Sequence, residues 1–143
     1  MAAYRVINSI DGQRLPQLME LYKDVWWAHD RTRAQVESLL KWSDLVIGLC
    51  DEADDRLVAF ARVLTDRTFR AFIFDVIVSA DRRGRGAGHR LMEELLSHPT
   101  VRGVELVELY CRPDLVTFYE RFGFSSPDSG VVLMRRRPHS EKP

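Results

Sequence analysis

The chain reads as a mixed α/β protein of the α+β kind, on three observations. Runs of aromatic and β-branched residues alternate with stretches whose apolar residues recur three and four apart, the signatures of strand and helix. Three consecutive strand-like runs in the middle have only short polar turns between them, so much of the sheet is antiparallel. With 143 residues, 45% of them apolar, the chain can bury one sizeable core without disulfide staples.

Taken in order, residues 4–10 alternate as a first strand. Leu15, Leu18, Met19, Tyr22, Val25 and Trp26 form one face of a helix that begins near Pro16. Adjacent tryptophans cannot share a helix face, so Trp26 is expected to pack inward while Trp27 points elsewhere. Thr32 is an N-cap for a shorter second helix carrying Val36, Leu39 and Leu40. Residues 45–50 and 57–64 are strands around the polar turn 51–55, and a further turn at Asp66 and Arg67 leads into a strand over 70–78. A glycine-rich loop follows, then a helix marked by Leu91, Met92, Leu95 and Leu96 that ends at Pro99. A strand over 104–111, a helix over 115–122 and a last strand over 131–136 complete the order β-α-α-β-β-β-α-β-α-β. Residues 1–137 are expected to form one domain, with 138–143 as a flexible C-terminal tail.

Charge and composition exclude several classes. Lys and Arg number 21, as do Asp and Glu, so no net field recruits nucleic acid or an anionic membrane. No apolar run approaches the ~20 residues that span a bilayer, and the first residues lack the apolar core of a signal peptide. Cys50 and Cys111 are far apart, without CxxC or Cys/His spacing. No metal is expected, and the cysteines read as buried, reduced thiols of a cytoplasmic protein.

The chemistry is concentrated in Arg82, Arg83, Gly84, Arg85, Gly86, Ala87, Gly88 and His89, between the third meander strand and a helix. A helix start offers unpaired N–H groups and the positive end of the dipole, so a phosphate supplies both acceptor and charge. Glycines there let the backbone approach the anion closely. The Gly-Lys-Ser/Thr of nucleoside triphosphatases is missing, and the dinucleotide fingerprint fails because His89 stands where its third glycine belongs.

What remains, Arg83-x-x-Gly86-x-Gly88, resembles the acetyl-CoA signature of the GNAT superfamily of N-acetyltransferases, Arg/Gln-x-x-Gly-x-Gly/Ala. Downstream, Phe118, Tyr119, Glu120, Arg121, Phe122, Gly123 and Phe124 resemble the same superfamily's late F-Y-E-x-x-G-F segment. The resemblance covers almost the whole chain. It implies the GNAT acyl-CoA N-acyltransferase fold, a mixed and mostly antiparallel central sheet flanked by helices. It further implies that this sheet splays open after the glycine-preceding strand, that acetyl-CoA is the co-substrate, and that the protein is a homodimer.

By that resemblance, Arg83, Gly84, Arg85, Gly86, Ala87, Gly88 and His89 hold the cofactor phosphates, aided by charge from one or more of Arg82, Arg83, Arg85 and Arg90. The main chain of Val76, Ile77 and Val78 pairs with the pantetheine arm and polarises the thioester; a plain buried strand reads the same way. Tyr119 is the general acid toward the departing thiolate, against the alternative of a core tyrosine bonded to a carbonyl. Many relatives carry a glutamate or histidine where this chain has Phe74, which takes no proton. Asp75 is then either a strand anchor or a base, and alternation places it opposite Phe74 unless a bulge intervenes. Trp27 and Asp30, with Phe74 and Asp75, are the candidate acceptor contacts. An exposed Trp27 suits an aromatic or cationic amine, and one covered by another element or a dimer partner does not.

The expected reaction is direct attack of a small-molecule primary amine on acetyl-CoA. A non-catalytic acyl-CoA sensor with the same loop is the alternative. A nucleic-acid module built on the arginines at 82–90 and 135–137 ranks third, for want of a basic excess.

Overall fold

Antiparallel pairing begins at the N-terminus: β1 (Tyr4–Ile7) lies against β2 (Leu45–Asp51), with Tyr4 opposite Asp51 and Ile7 opposite Gly48. A computed structural model of the chain describes residues 3–126 and 130–139. Strand β2 pairs antiparallel with β3 (Arg56–Thr65), and β3 with β4 (Arg70–Val78). The last strand, β5 (Leu106–Leu109), runs parallel to β4, giving a five-stranded sheet in the order β1-β2-β3-β4-β5. The mixed, mostly antiparallel sheet flanked by helices agrees with the sequence reading.

Helices α1 (Leu15–Lys23) and α2 (Arg33–Trp42) connect β1 to β2. Pro16 sits in the first turn of α1, where its missing N–H costs nothing. Leu15, Leu18, Leu21 and Tyr22 bury one face of α1 in a cluster with Val36, Cys50, Leu57, Phe60 and Ile77. Thr32 caps α2 as expected: its side chain accepts from the Gln35 amide while the Gln35 side chain accepts from the Thr32 amide. Helix α3 (Ala87–Ser97) buries Ala87, Leu91, Met92 and Leu95, and packs on β2 and β3. A one-turn helix, α4 (Pro99–Arg102), leads to β5.

The chain divides into two compact units: one carries β1 through β5 and ends at Cys111, and the other begins at Arg112. The second unit contains α5 (Val116–Glu120), preceded by a 3-10 turn over Pro113–Leu115.

Four expectations are corrected. Helix α1 stops at Lys23, so Val25 and Trp26 are not on it. Beyond it the chain advances by three-residue turns, Val25 N–H to Tyr22 O and Ala28 N–H to Val25 O, and Trp26 is left 69% exposed rather than packed inward. The strand expected over 131–136 does not form: Val131, Val132, Leu133 and Met134 are exposed chain without a ladder among the described residues. A strand needs a partner as well as a pattern. Cys111 is exposed, because β5 ends at Leu109 before reaching it; Cys50 is buried. The expected tail falls outside the described residues from position 140 onward.

Candidate active site

Two features of the first unit converge on β4, one at its C-terminal end and one at its middle. The first is the loop to α3. A 3-10 turn, Ala80–Arg82, closes against Ser79, and Arg82 is then held by three carboxylates: Asp51 at 3.2 Å, Asp54 at 3.2 Å and Asp81 at 3.0 Å. Asp81 also binds Arg56 and the Ser79 hydroxyl, which holds its carboxyl low, at about 2. Arg82 therefore fixes the loop to the β2–β3 hairpin and is not left over for a ligand.

After Arg83 the chain turns through Gly84, with φ 76°, and Gly86, with φ 83°. Only glycine adopts these values without strain. A Cβ at either position would meet no protein atom within 4 Å, so the space in front of them is open. Gly86 is the N-cap of α3 and brings no capping side chain. The first rung is Arg90 N–H to Gly86 O at 3.0 Å, so the amides of Ala87, Gly88 and His89 stand ahead of the helix ladder. Gly88 itself is helical, which corrects the expectation that all three glycines curl the loop. Tyr4 Oη donates to the Arg85 carbonyl at 3.4 Å, Arg83 Nε to the Val78 carbonyl at 3.4 Å, and the His89 ring meets Glu93 at 3.0 Å. Open space in front of Gly84 and Gly86, at the positive end of an eleven-residue helix that has no capping side chain, fits a diphosphate.

The second feature is the middle of β4. Pairing with β5 stops at Ile73 opposite Leu109, so the edge of β4 beyond Ile73, including Val76, Ile77 and Val78, has no strand neighbour on that side among the described residues. On the other side Phe60 pairs with Ile77 but Arg62 pairs with Phe74, so Ala61 alone faces Asp75 and Val76. This is a β-bulge, with Asp75 in the left-handed region at φ 57°. The bulge breaks the alternation and turns Asp75 to the face that carries Arg62 and Phe74.

There, Asp75 Oδ2 accepts from Tyr22 Oη at 2.8 Å, Arg31 at 2.7 Å and Arg62 Nε at 2.8 Å, and the carboxylate side chain is only 6% exposed. Burial pushes the Asp75 carboxyl up, but the two guanidinium hydrogen bonds outweigh it and hold it below the usual range. Burial first, and the Asp75 charge second, push the Tyr22 phenol well up, so it stays protonated and donates. Of the two roles left open by the sequence, the geometry makes Asp75 an anchor and a poor base.

Arg31 lies over the rings of Tyr22, at 4.9 Å, and Trp27, at 5.4 Å, while Arg62 lies over Phe74 at 5.0 Å. Phe74 stacks on Phe72 at 4.8 Å, and Phe72 meets Tyr110 at 4.7 Å. Trp27 is thus brought to the cluster, whereas Asp30 is exposed and takes no part in it. The sequence reading missed Tyr22, Arg31 and Arg62. Arg62 was the findable one, a single charge inside the apolar run of β3, where an unpaired cation does not survive. In the second unit, Tyr119 is buried and its ring meets Phe118 at 5.0 Å and Phe124 at 6.1 Å. Among the described residues no three His, Cys, Asp or Glu side chains converge as metal ligands.

A strand that loses its neighbour, a bulge, and a glycine turn into an uncapped helix are the setting of the motif read from the sequence. The profile of the Acetyltransferase (GNAT) family matches residues 15–124. The chain belongs to the GNAT acetyltransferase family. Its relatives include the uncharacterized N-acetyltransferase ycf52 of Porphyra purpurea, 34% identical over 130 residues that cover 90% of this chain and 74% of that protein. Serotonin N-acetyltransferase 2, chloroplastic, of Oryza sativa subsp. japonica is 33% identical over 140 residues, 94% of this chain and 69% of the relative. Among solved structures, a GNAT-family acetyltransferase of Xanthomonas campestris pv. campestris is 34% identical and superposes with a TM-score of 0.77, covering 93% of each chain. As a GNAT protein the chain is an acyltransferase, and acetyl-CoA is the co-substrate the family generally uses. The open glycine turn and the amides of Ala87, Gly88 and His89 suit its diphosphate.

Proposed function

We propose that the chain transfers the acetyl group of acetyl-CoA to a primary amine of a small molecule, by direct attack and without a covalent enzyme intermediate. The observation that carries this reading is the uncapped start of α3 behind Gly84 and Gly86, following a β4 edge that has no strand neighbour beyond Ile73 among the described residues. Amides at residues 87–89 hold the diphosphate, and the main chain of Val76, Ile77 and Val78 adds the pantetheine arm as a strand would. That arrangement aims a backbone N–H at the thioester oxygen, where charge develops.

Tyr119 serves as general acid for the departing thiolate. The likeness of residues 118–124 to the family segment supports this. The one-domain reading of residues 1–137 is supported by a family match that runs from α1 in the first unit to Phe124 in the second. A second reading, an acyl-CoA sensor, draws on one observation: Phe74 takes no proton and Asp75 is locked by three donors.

Titration calorimetry with acetyl-CoA, followed by free-thiol release over a panel of primary amines, tests both. Binding with turnover is the expected result. Binding without turnover of any amine selects the sensor, and no binding overturns both. Tyr119→Phe is expected to lower kcat at least tenfold while leaving acetyl-CoA affinity little changed; an unchanged kcat rejects the acid role.

A further inference from the structure

Arg31, Arg62 and Asp75 carry two positive charges against one negative, and among the described residues neither arginine is paired with a second carboxylate. Arg70, the arginine of β4 itself, is paired with Glu108 of β5. Arg62 is mostly buried, its side chain 15% exposed, yet only its Nε is used, on Asp75. Arg56 Nε is the one side-chain polar atom among the described residues that is both fully buried and unpartnered. The two outer nitrogens of Arg62, which have no partner there, must therefore reach solvent. They do so beside Phe74, on the sheet face where Phe72, Phe74 and Tyr110 form an aromatic floor. A guanidinium held through Nε by a carboxylate, with its two outer nitrogens reaching solvent, can grip an oxyanion in two places.

The same surplus charge bears on the acceptor's reacting end. An amine must lose its proton before attack, and neither Phe74 nor Asp75 takes it. Two fixed cations nearby disfavour the ammonium form and so lower the acceptor's own pKa. They also repel a polyamine, whose second charge stays on.

We infer that the acceptor is an amine bearing an oxyanion, a carboxylate or a phosphate ester, which Arg62 binds with Arg31 beside it. The inference rests on the acetyltransferase reading and is tested so that the two fail separately. The protein is first saturated with CoA, which occupies the diphosphate site and carries no acetyl group to transfer. Four amines are then titrated calorimetrically: β-alanine, O-phosphoethanolamine, propylamine and 1,4-diaminobutane.

The expected result is that β-alanine, O-phosphoethanolamine or both bind at least tenfold tighter than propylamine, and that 1,4-diaminobutane binds weakest. The stronger of the first two identifies the carboxylate or the phosphate as the anion. Arg62→Gln is expected to collapse this preference toward unity, and Arg62→Lys to retain part of it. Equal affinity for propylamine, preference for the diamine, or an undiminished preference in a folded Arg62→Gln overturns the inference. If Arg62→Gln does not fold, the four-amine comparison on the unaltered protein decides alone. Failure of CoA itself to bind overturns the acetyltransferase reading instead, and the inference with it.

Discussion

Asp75 concentrates three hydrogen bonds on a single oxygen, and its backbone pays nothing back: φ 57° is costly for a residue other than glycine. The stabilisation comes from the two guanidiniums that would otherwise be buried without a countercharge. Asp75→Asn is accordingly expected to destabilise the fold by about 3–5 kcal/mol in urea denaturation, the usual result of removing one partner of a buried pair. Because the carboxyl titrates lower in the folded chain than in the unfolded one, its stabilisation is complete above about pH 4 and is lost as pH falls through the folded value. The urea midpoint should therefore owe no slope to Asp75 between pH 5 and 8, and kcat/KM should show no ionisation from it there. The sequence made this residue visible as the nearest carboxylate to the expected base position, but not its partners. Tyr22 and Arg31 lie 53 and 44 positions away, and a bulge that depends on the neighbouring strand turns Asp75 toward them.

The start of α3 depends on left-handed Gly84 and Gly86, whereas Gly88 is helical, and the contrast between Gly86 and Gly88 makes two separable predictions. Gly86→Ala forces a Cβ into φ 83°, expected to cost roughly 1–2 kcal/mol and to weaken acetyl-CoA binding tenfold or more by calorimetry. Gly88→Ala falls at a helical position and is expected to leave stability unchanged or raise it by up to about 1 kcal/mol in the same denaturation assay. Elements with a strong local signal were legible: the capping box at Thr32, the proline in the first turn of α1 and the glycine loop all stand where their residue types require. Elements that depend on a partner were not. Residues 131–136 open with the apolar run of a strand but form no ladder among the described residues, and the helical spacing of Val25 and Trp26 continues past the point where α1 gives way to turns.

For the molecule as a whole, 21 positive and 21 negative side chains leave binding energy to local arrangements rather than to a global field. Retention on an oligonucleotide column at physiological salt is not expected, despite arginines at 135–137; binding that weakens steeply with salt would revive the nucleic-acid reading. Arg82 shows how local those arrangements are. Four arginines clustered at 82–90 look alike in sequence, yet Arg82 is consumed by Asp51, Asp54 and Asp81, and Arg90 is engaged along its own helix by Glu94. Which arginine remains available is decided by carboxylates on the β2–β3 hairpin, about thirty positions upstream of Arg82, and a charge count does not reveal it. The fold class followed from the order of elements, because that order leaves few ways to cover a sheet.

The strand that parts from its neighbour after Ile73 has a bearing on handling and survival as well as on chemistry. A strand edge that has no strand neighbour among the described residues can recruit an extended peptide, including a like segment of another molecule. A pantetheine arm seated there would shield that margin, so coenzyme A should act as a guard against clumping. Light scattering during gentle heating ought to rise later with CoA than with an equal concentration of adenosine bisphosphate, which lacks the arm.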